Sequence, residues 1–576
     1  MADEVKINFK EACKMFKENK YTDVIKKCKK ILKKDKKNYA TLILLAAAMK
    51  EIEEYKSEVP LILQSAINIQ KDNPLAWKGL ITYYEQNLDN DCYDKLLLAY
   101  CKILQIDSEY KFTHILNKLL DLSLQLKDIS VLTECIEHLS ELRKVSDSDK
   151  VKLVDKTLGW ILLDNFSNLG KYQDLLESVF KSVINEFDTV DQQKFYRKYL
   201  KILYDNGDLV ILIKEAINMH QKFPQHILPL EYICRIYYEQ NMLSEDIDID
   251  ITQFYESLFK LNANSEIAAV AKAMYLRKSD NLIAARKILK DTLQLKPFFL
   301  YGWMLLSEIS MRLHCWEDAE SAAKKALEIE KHEIKDGLLH KVKLILIESL
   351  SRSDNRQKWE TAFQMCEHHL EMQPSTQLEV LHARLSVLLD KPNIYITLDN
   401  LELKPETKIQ ANILRALYLK QNKQFNEALN ALDASLETSE AWLLLGIIYW
   451  EMTEYNYSLM AFLNGVKIDR HNWKCLVYLG HYYREYGNDV ERSRRCYQTA
   501  LQINPNSEEA GVGLSTAYRL LKNQDANIEL LQSLTIQDSG PKWAWLQLGL
   551  QYLDQGDGMQ AIKAFQHVIR ADPNDK

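Results

Sequence analysis

One pattern comes back along the chain at a fixed interval. Trp545-x2-Leu548-Gly549-x2-Tyr552 is followed by Ala561-x3-Phe565 and then Pro573. Upstream, Trp442, Leu445, Gly446 and Tyr449 with Phe462 repeat its first half, and Leu479, Gly480 and Tyr483 with Tyr497, Ala500 and Pro505 repeat it again. Gly446 and Gly480 are 34 residues apart, Gly480 and Gly549 are 69 apart, and Leu514, Ser515 and Tyr518 keep the register between them. A sustained period of this length means one small supersecondary unit per repeat, none able to bury its own apolar face. The residue types define the unit as two antiparallel helices. Gly549 and Ala561 are the small residues where the helices cross, and a side chain at Gly549 would separate the two backbones. Trp545, Leu548, Tyr552 and Phe565 fill the space within and between pairs, and Pro573 cannot continue the second helix.

These positions are those of the tetratricopeptide (TPR) repeat. The expected fold is all-α, a superhelical solenoid of antiparallel helix pairs. Composition agrees: 16 glycines and 11 prolines in 576 residues leave little turn chemistry for sandwiches, barrels or propellers. With 47% apolar and 10% aromatic residues the chain has ample material for cores and does not read as disordered. The repeat weakens upstream, which divides the chain into four segments. Residues 1–110 hold TPR units with a lysine-rich start, 111–265 degenerate hairpins (or a separate helical domain), 266–438 further TPR units, and 439–576 high-fidelity units. No atypical capping unit follows Pro573-Asn574-Asp575-Lys576, which predicts a chain that continues in a longer protein.

Signatures of catalysis are missing. Gly511-Val512-Gly513 lacks the third glycine of a nucleotide fingerprint and lies inside a helical repeat. His368 and His369 are adjacent, so on a helix they point in different directions and suit no single metal. No nucleophile–base arrangement can be assembled from position alone. The expectation is no enzyme, no cofactor and no metal. The ten cysteines are scattered without a CxxC pair and read as reduced, buried residues of a cytoplasmic, or also nuclear, protein. No apolar stretch approaches the ~20 residues of a membrane span, so a soluble chain is expected.

Charge is near balance, 74 Lys+Arg against 81 Asp+Glu, but unevenly placed. Eight lysines fall between Lys26 and Lys37, interleaved with Ile25, Cys28, Ile31 and Leu32 at helical spacing. Lys26, Lys29, Lys30, Lys33 and Lys37 are the candidate contact to RNA or to an acidic partner; the plainer alternative is a solvated helix face. The second candidate surface is the groove lined by the first helix of each pair. In the C-terminal units its positions map to Trp450, Tyr478, His481, Arg484, Arg519 and Trp543, types enriched where proteins bind one another. Packing tryptophans and ordinary surface arginines are the competing account.

A closer likeness rests on longer segments. Pro541-Lys542-Trp543-Ala544-Trp545-Leu546-Gln547-Leu548-Gly549-Leu550, continuing to Arg570-Ala571-Asp572-Pro573, resembles the TPR scaffold subunits of superkiller (Ski) complexes. So do Leu479-Gly480-His481-Tyr482-Tyr483-Arg484-Glu485 with Arg494-Arg495-Cys496-Tyr497, and Leu75-Ala76-Trp77-Lys78-Gly79-Leu80 near the start. The resemblance implies a non-enzymatic scaffold that assembles a DExH-box RNA helicase and WD40-repeat subunits. It further implies help in delivering RNA to the cytoplasmic exosome, or its adaptor, for 3′–5′ mRNA decay, with RNA contact indirect or weak. The alternative is an unrelated TPR peptide-binding adaptor of the co-chaperone type. Such an adaptor shows a lysine–arginine–asparagine clamp for a carboxylate, where this chain has Glu440, Leu444 and Ile447, then Lys474, Tyr478 and His481. An enzyme with its catalytic domain beyond residue 576 is a third reading.

Overall fold

The computed structural model describes residues 2–87, 92–107, 109–126, 128–145, 147–165, 170–242, 249–329, 336–535 and 541–571. Over these the chain forms thirty-two α-helices, two short 3-10 turns and no strand. Consecutive helices pair as antiparallel hairpins, and the fold is the all-α TPR superhelix that the repeat predicts. Pro573 lies outside the described residues. The chain divides into two compact units, Met1–Lys222 and Phe223–Lys576. The first contains six hairpins and the second ten.

Two devices recur among the hairpins. Ser265, Ser375, Thr438, Asn472 and Ser507 stand before first helices, and each side chain accepts the backbone N–H three residues on. That satisfies one donor otherwise orphaned at a helix start. Several first helices end in a Schellman turn. Asn281 N–H donates to Leu276 O at 2.9 Å, Cys315 to Ser310, Gln424 to Leu419, Glu454 to Tyr449, Asn523 to Tyr518 and Asp557 to Tyr552, at 2.9–3.0 Å. The residue before each donor is left-handed: Asp280, His314, Lys423, Thr453, Lys522 and Gly556, with φ from 54° to 80°. Only one of the six is glycine, so the scarcity of glycine reflects turns built from residues that bear the strain.

The small residue of the repeat has a physical reason that differs in detail from the one expected. A Cβ on Gly446 meets the Phe462 ring at 2.4 Å, one on Gly480 meets Tyr497 at 2.6 Å, and one on Gly549 meets Phe565 at 2.5 Å. Glycine makes room for the aromatic ring of the second helix; the other backbone is not what a side chain meets first. A serine on that helix adds a bond in two successive hairpins. Ser458 Oγ donates to Gly446 O at 2.8 Å, and Ser493 Oγ to Gly480 O at 2.9 Å. Tryptophans tie the incoming loop: the indole N–H of Trp77, Trp303 and Trp442 donates to the carbonyl six residues earlier, at 2.7–2.9 Å.

Residues 111–222, where the repeat is least legible, keep the two-helix rhythm. Their core is aromatic, with Phe180 stacked on Tyr199 at 4.0 Å and Trp160 edge-on to Phe195 at 5.1 Å. Gly159 leaves space for the Phe195 ring. Asp155 is fully buried and held by Arg143 at 2.8 Å and the Ser182 hydroxyl at 2.6 Å.

The second unit winds far enough to meet itself. Arg286, only 5% exposed, donates to Ile503 O at 2.6 Å and Gln502 O at 3.1 Å, the orphan carbonyls ending the Val490–Ile503 helix. His314 Nε2 lies 2.6 Å from Asp469, the Trp473 indole donates to His314 O at 3.0 Å, and Arg470 pairs with Asp280 at 2.5 Å. The second and third hairpins of this unit are thus touched by the seventh and eighth, four to six places further on.

Candidate functional site

The expected basic surface forms as a helix face. On the Tyr21–Lys34 helix Val24, Ile25, Cys28 and Ile31 are buried. Lys26, Lys29, Lys30 and Lys33 are exposed on the other side, with Lys37 exposed just beyond the helix. Lys26, Lys30 and Lys33 share one stripe by the i, i+4, i+7 rule. Lys29 lies over the Tyr55 ring at 5.2 Å, and the neighbouring Lys27 pairs with Glu11.

Four of the six predicted groove residues meet. Trp450 is edge-on to Tyr478 at 5.8 Å, and Tyr478 stacks on Phe462 at 4.8 Å and reaches His481. His481 Nδ1 is 2.8 Å from the Tyr497 hydroxyl and 3.4 Å from Arg484, which also pairs with Glu485 at 2.5 Å. A guanidinium can only donate, so Nδ1 is the unprotonated nitrogen of a neutral ring. Burial, then the Arg484 charge, lowers the His481 pKa, and burial pushes the Tyr478 hydroxyl up to about 12. Arg519 is half-buried on the next hairpin, away from this cluster. Trp543 is 5% exposed, its ring filling the space that Gly511 leaves empty.

A cavity lies elsewhere, inside the second unit. It measures about 640 Å³ and is lined by first helices of seven successive hairpins, from Asn241 to Glu440. Its volume is within the ~300–1,000 Å³ of ligand sites. At its floor two guanidiniums share one carboxylate. Arg352 grips Glu440 in two bonds, 2.5 Å to Oε1 and 3.0 Å to Oε2, and Arg384 donates to the same Oε1 at 2.8 Å. Glu348 approaches Arg352 at 3.6 Å, and the Arg352 guanidinium lies 5.1 Å from the Trp316 ring. Burial alone would raise the Glu440 pKa; the two guanidiniums overcome it and hold the carboxyl well below the usual range. Arg384 moves the other way: burial and the adjacent Arg352 charge both lower it.

Sequence reasoning placed the groove in residues 439–576 and passed over this floor; Glu440 entered only as a mismatch to the co-chaperone clamp. A signal was present. Arg277, Arg312 and Arg352 recur at the ends of three successive first helices, at nearly the repeat interval.

No metal-holding group of His, Cys, Asp or Glu exists among the described residues, and all ten cysteines are free. No helix of the described residues is long and apolar enough to cross a membrane.

No family model matches the chain. It is similar over 99% of its length to Superkiller complex protein 3 of Mus musculus and of Homo sapiens, at 25% and 26% identity, and to Tetratricopeptide repeat protein 37 of Xenopus laevis at 25%. The chain spans 38% of the length of each of these relatives. The resemblance read from its repeats therefore extends along nearly the whole chain. Among solved structures, a chain of the APC/C hetero-tetramer Cut9–Hcn1 aligns over 98% of this chain and 93% of its own, with 14% identity and a TM-score of 0.32. A chain of Naa15/Naa10 bound to HypK-THB covers 99% and 94%, with 13% identity and a TM-score of 0.29.

Proposed function

We propose that this chain is a non-enzymatic scaffold segment of a superkiller-type complex, acting in the cytoplasm to hold a DExH-box RNA helicase and WD40-repeat subunits while RNA passes to the exosome or its adaptor for 3′–5′ decay. The observation that carries this reading is similarity to Superkiller complex protein 3 over 99% of the chain. Physically, a row of hairpins has much surface per residue, which suits holding several partners at once. The cluster of Trp450, Tyr478, His481 and Arg484 is the partner contact of the C-terminal hairpins in this reading, with Arg519 and Trp543 on the hairpins that follow. The exposed lysines from Lys26 to Lys37 give a weak, sequence-independent attraction to RNA.

Affinity purification of the tagged chain from its own cells tests this. Co-purification of a helicase and WD40 subunits at stoichiometric levels is the expected result. Recovery of chaperones in their place, or of neither subunit, would refute the reading. Reversing the charge of Lys26, Lys30, Lys33 and Lys37 should lower RNA retention at low salt and leave the protein partners bound.

A further inference from the structure

The cavity floor of the second unit is incompletely paired. Arg384 makes one hydrogen bond, through one terminal nitrogen, to an oxygen that Arg352 already uses. Its Nε–H is buried without an acceptor, as is that of Arg352. Its second terminal nitrogen makes no hydrogen bond and is not among the buried atoms left without a partner, and Arg384 lines the cavity. Buried donors are nearly always satisfied, and a guanidinium fork matches a carboxylate in two parallel bonds. Five cations and four carboxylates line the walls, so the cavity is short of one negative charge. Met304, Leu338, Val342, Val380 and Leu381 run between the charged rows and give an apolar path beside them.

We propose that this cavity is a receptor site for an extended peptide segment bearing an aspartate or glutamate, its carboxylate accepting from the terminal nitrogen of Arg384 that Glu440 leaves free and its neighbouring side chains along the apolar path. The excess positive charge selects an acidic guest over a basic one. The length of the cavity, seven hairpins, selects a chain over a single small anion. Glu440 holds the Arg384 guanidinium in place, and the positive charge left for the guest is that of the whole lining, since Glu440 and Glu348 together face the arginine pair. The proposal rests on the cavity alone and is independent of any superkiller-type assembly.

The test is selection of a displayed random dodecapeptide library on the whole 576-residue chain, followed by fluorescence anisotropy of the most enriched peptide as its fluorescein conjugate. The expected winners carry Asp or Glu. Arg384→Gln should weaken their binding at least tenfold, as should Gln410→Trp, which fills the cavity from its exposed rim without touching the ion cluster; circular-dichroism melts show whether each variant stays folded. Replacing the peptide's acidic residue by its amide should cost a similar factor. Enrichment of peptides without acidic residues, no enrichment at all, or binding indifferent to both folded variants would overturn the proposal. Displacement by millimolar glutarate as effective as by unlabelled peptide would also overturn it, in favour of a small-anion site. None of these outcomes bears on whether helicase and WD40 subunits co-purify.

Discussion

Gly446 and Thr453 show what the repeat demands of single residues. The ring of Phe462 occupies the place where a Cβ on Gly446 would be. Gly446→Ala should therefore destabilise the second unit by about 2 kcal/mol through overpacking, read as a lower urea midpoint. Phe462→Leu in the same chain should return part of that loss. An unchanged midpoint in the single variant would show that the ring moves aside at no cost. Thr453 is the converse, a β-branched residue at φ 65° in a turn that tolerates glycine at the equivalent Gly556. Thr453→Gly should stabilise by about 1 kcal/mol, the relief of left-handed strain less the added chain entropy. The glycine of the motif was legible as a small residue at a crossing. The strained turns were not, because lysine and threonine carry no left-handed signal of their own and aspartate and histidine only a weak one.

At the level of helices, the strongest positional information in the sequence was the tryptophan, leucine and glycine of each first helix, and those helices form where that spacing puts them. What escaped was polar. Asp155 and Arg143 sit on different helices of a region whose repeat has decayed, and nothing in a pattern of apolar residues marks a carboxylate as fully buried. Truncating Asp155 to alanine should cost about 3 kcal/mol, because it strands a half-buried guanidinium. A thermal melt checks this, and a loss below about 1 kcal/mol would mean that water replaces the carboxylate. Histidine gives an element-level pH dependence. Burial lowers the pKa of both His382 and His481 below the ordinary value near 6.5, so each is neutral when folded. The unfolded chain takes up the protons that the folded one refuses. The histidine contribution is complete above the unfolded pKa and is lost as pH falls through the folded one. Urea midpoints should fall between pH 7.5 and 5, less steeply in His481→Gln.

On the scale of the second unit, the decisive contacts join residues some 155 to 217 positions apart, such as His314 with Asp469 and Arg286 with Ile503. A 34-residue period says that hairpins stack and nothing about where a turn of the coil meets the next. Small rotations per hairpin, invisible in sequence, decide that. The cavity floor escaped for the same reason: Arg352, Arg384 and Glu440 belong to hairpins that only curvature brings together. Arg286→Met keeps the side chain's bulk but leaves two helix-end carbonyls without their donor, which should cost about 2 kcal/mol. Amide hydrogen exchange should then quicken in 469–506 and in 280–318 together. Faster exchange in one of these segments alone would mean that they are not coupled.

A coil that touches its own next turn narrows the ways into it. A guest that follows its axis passes beside the contacts that join the turns, like thread through a bead. The residence time of such a guest is then set partly by how often Arg286, His314 and Trp473 let go.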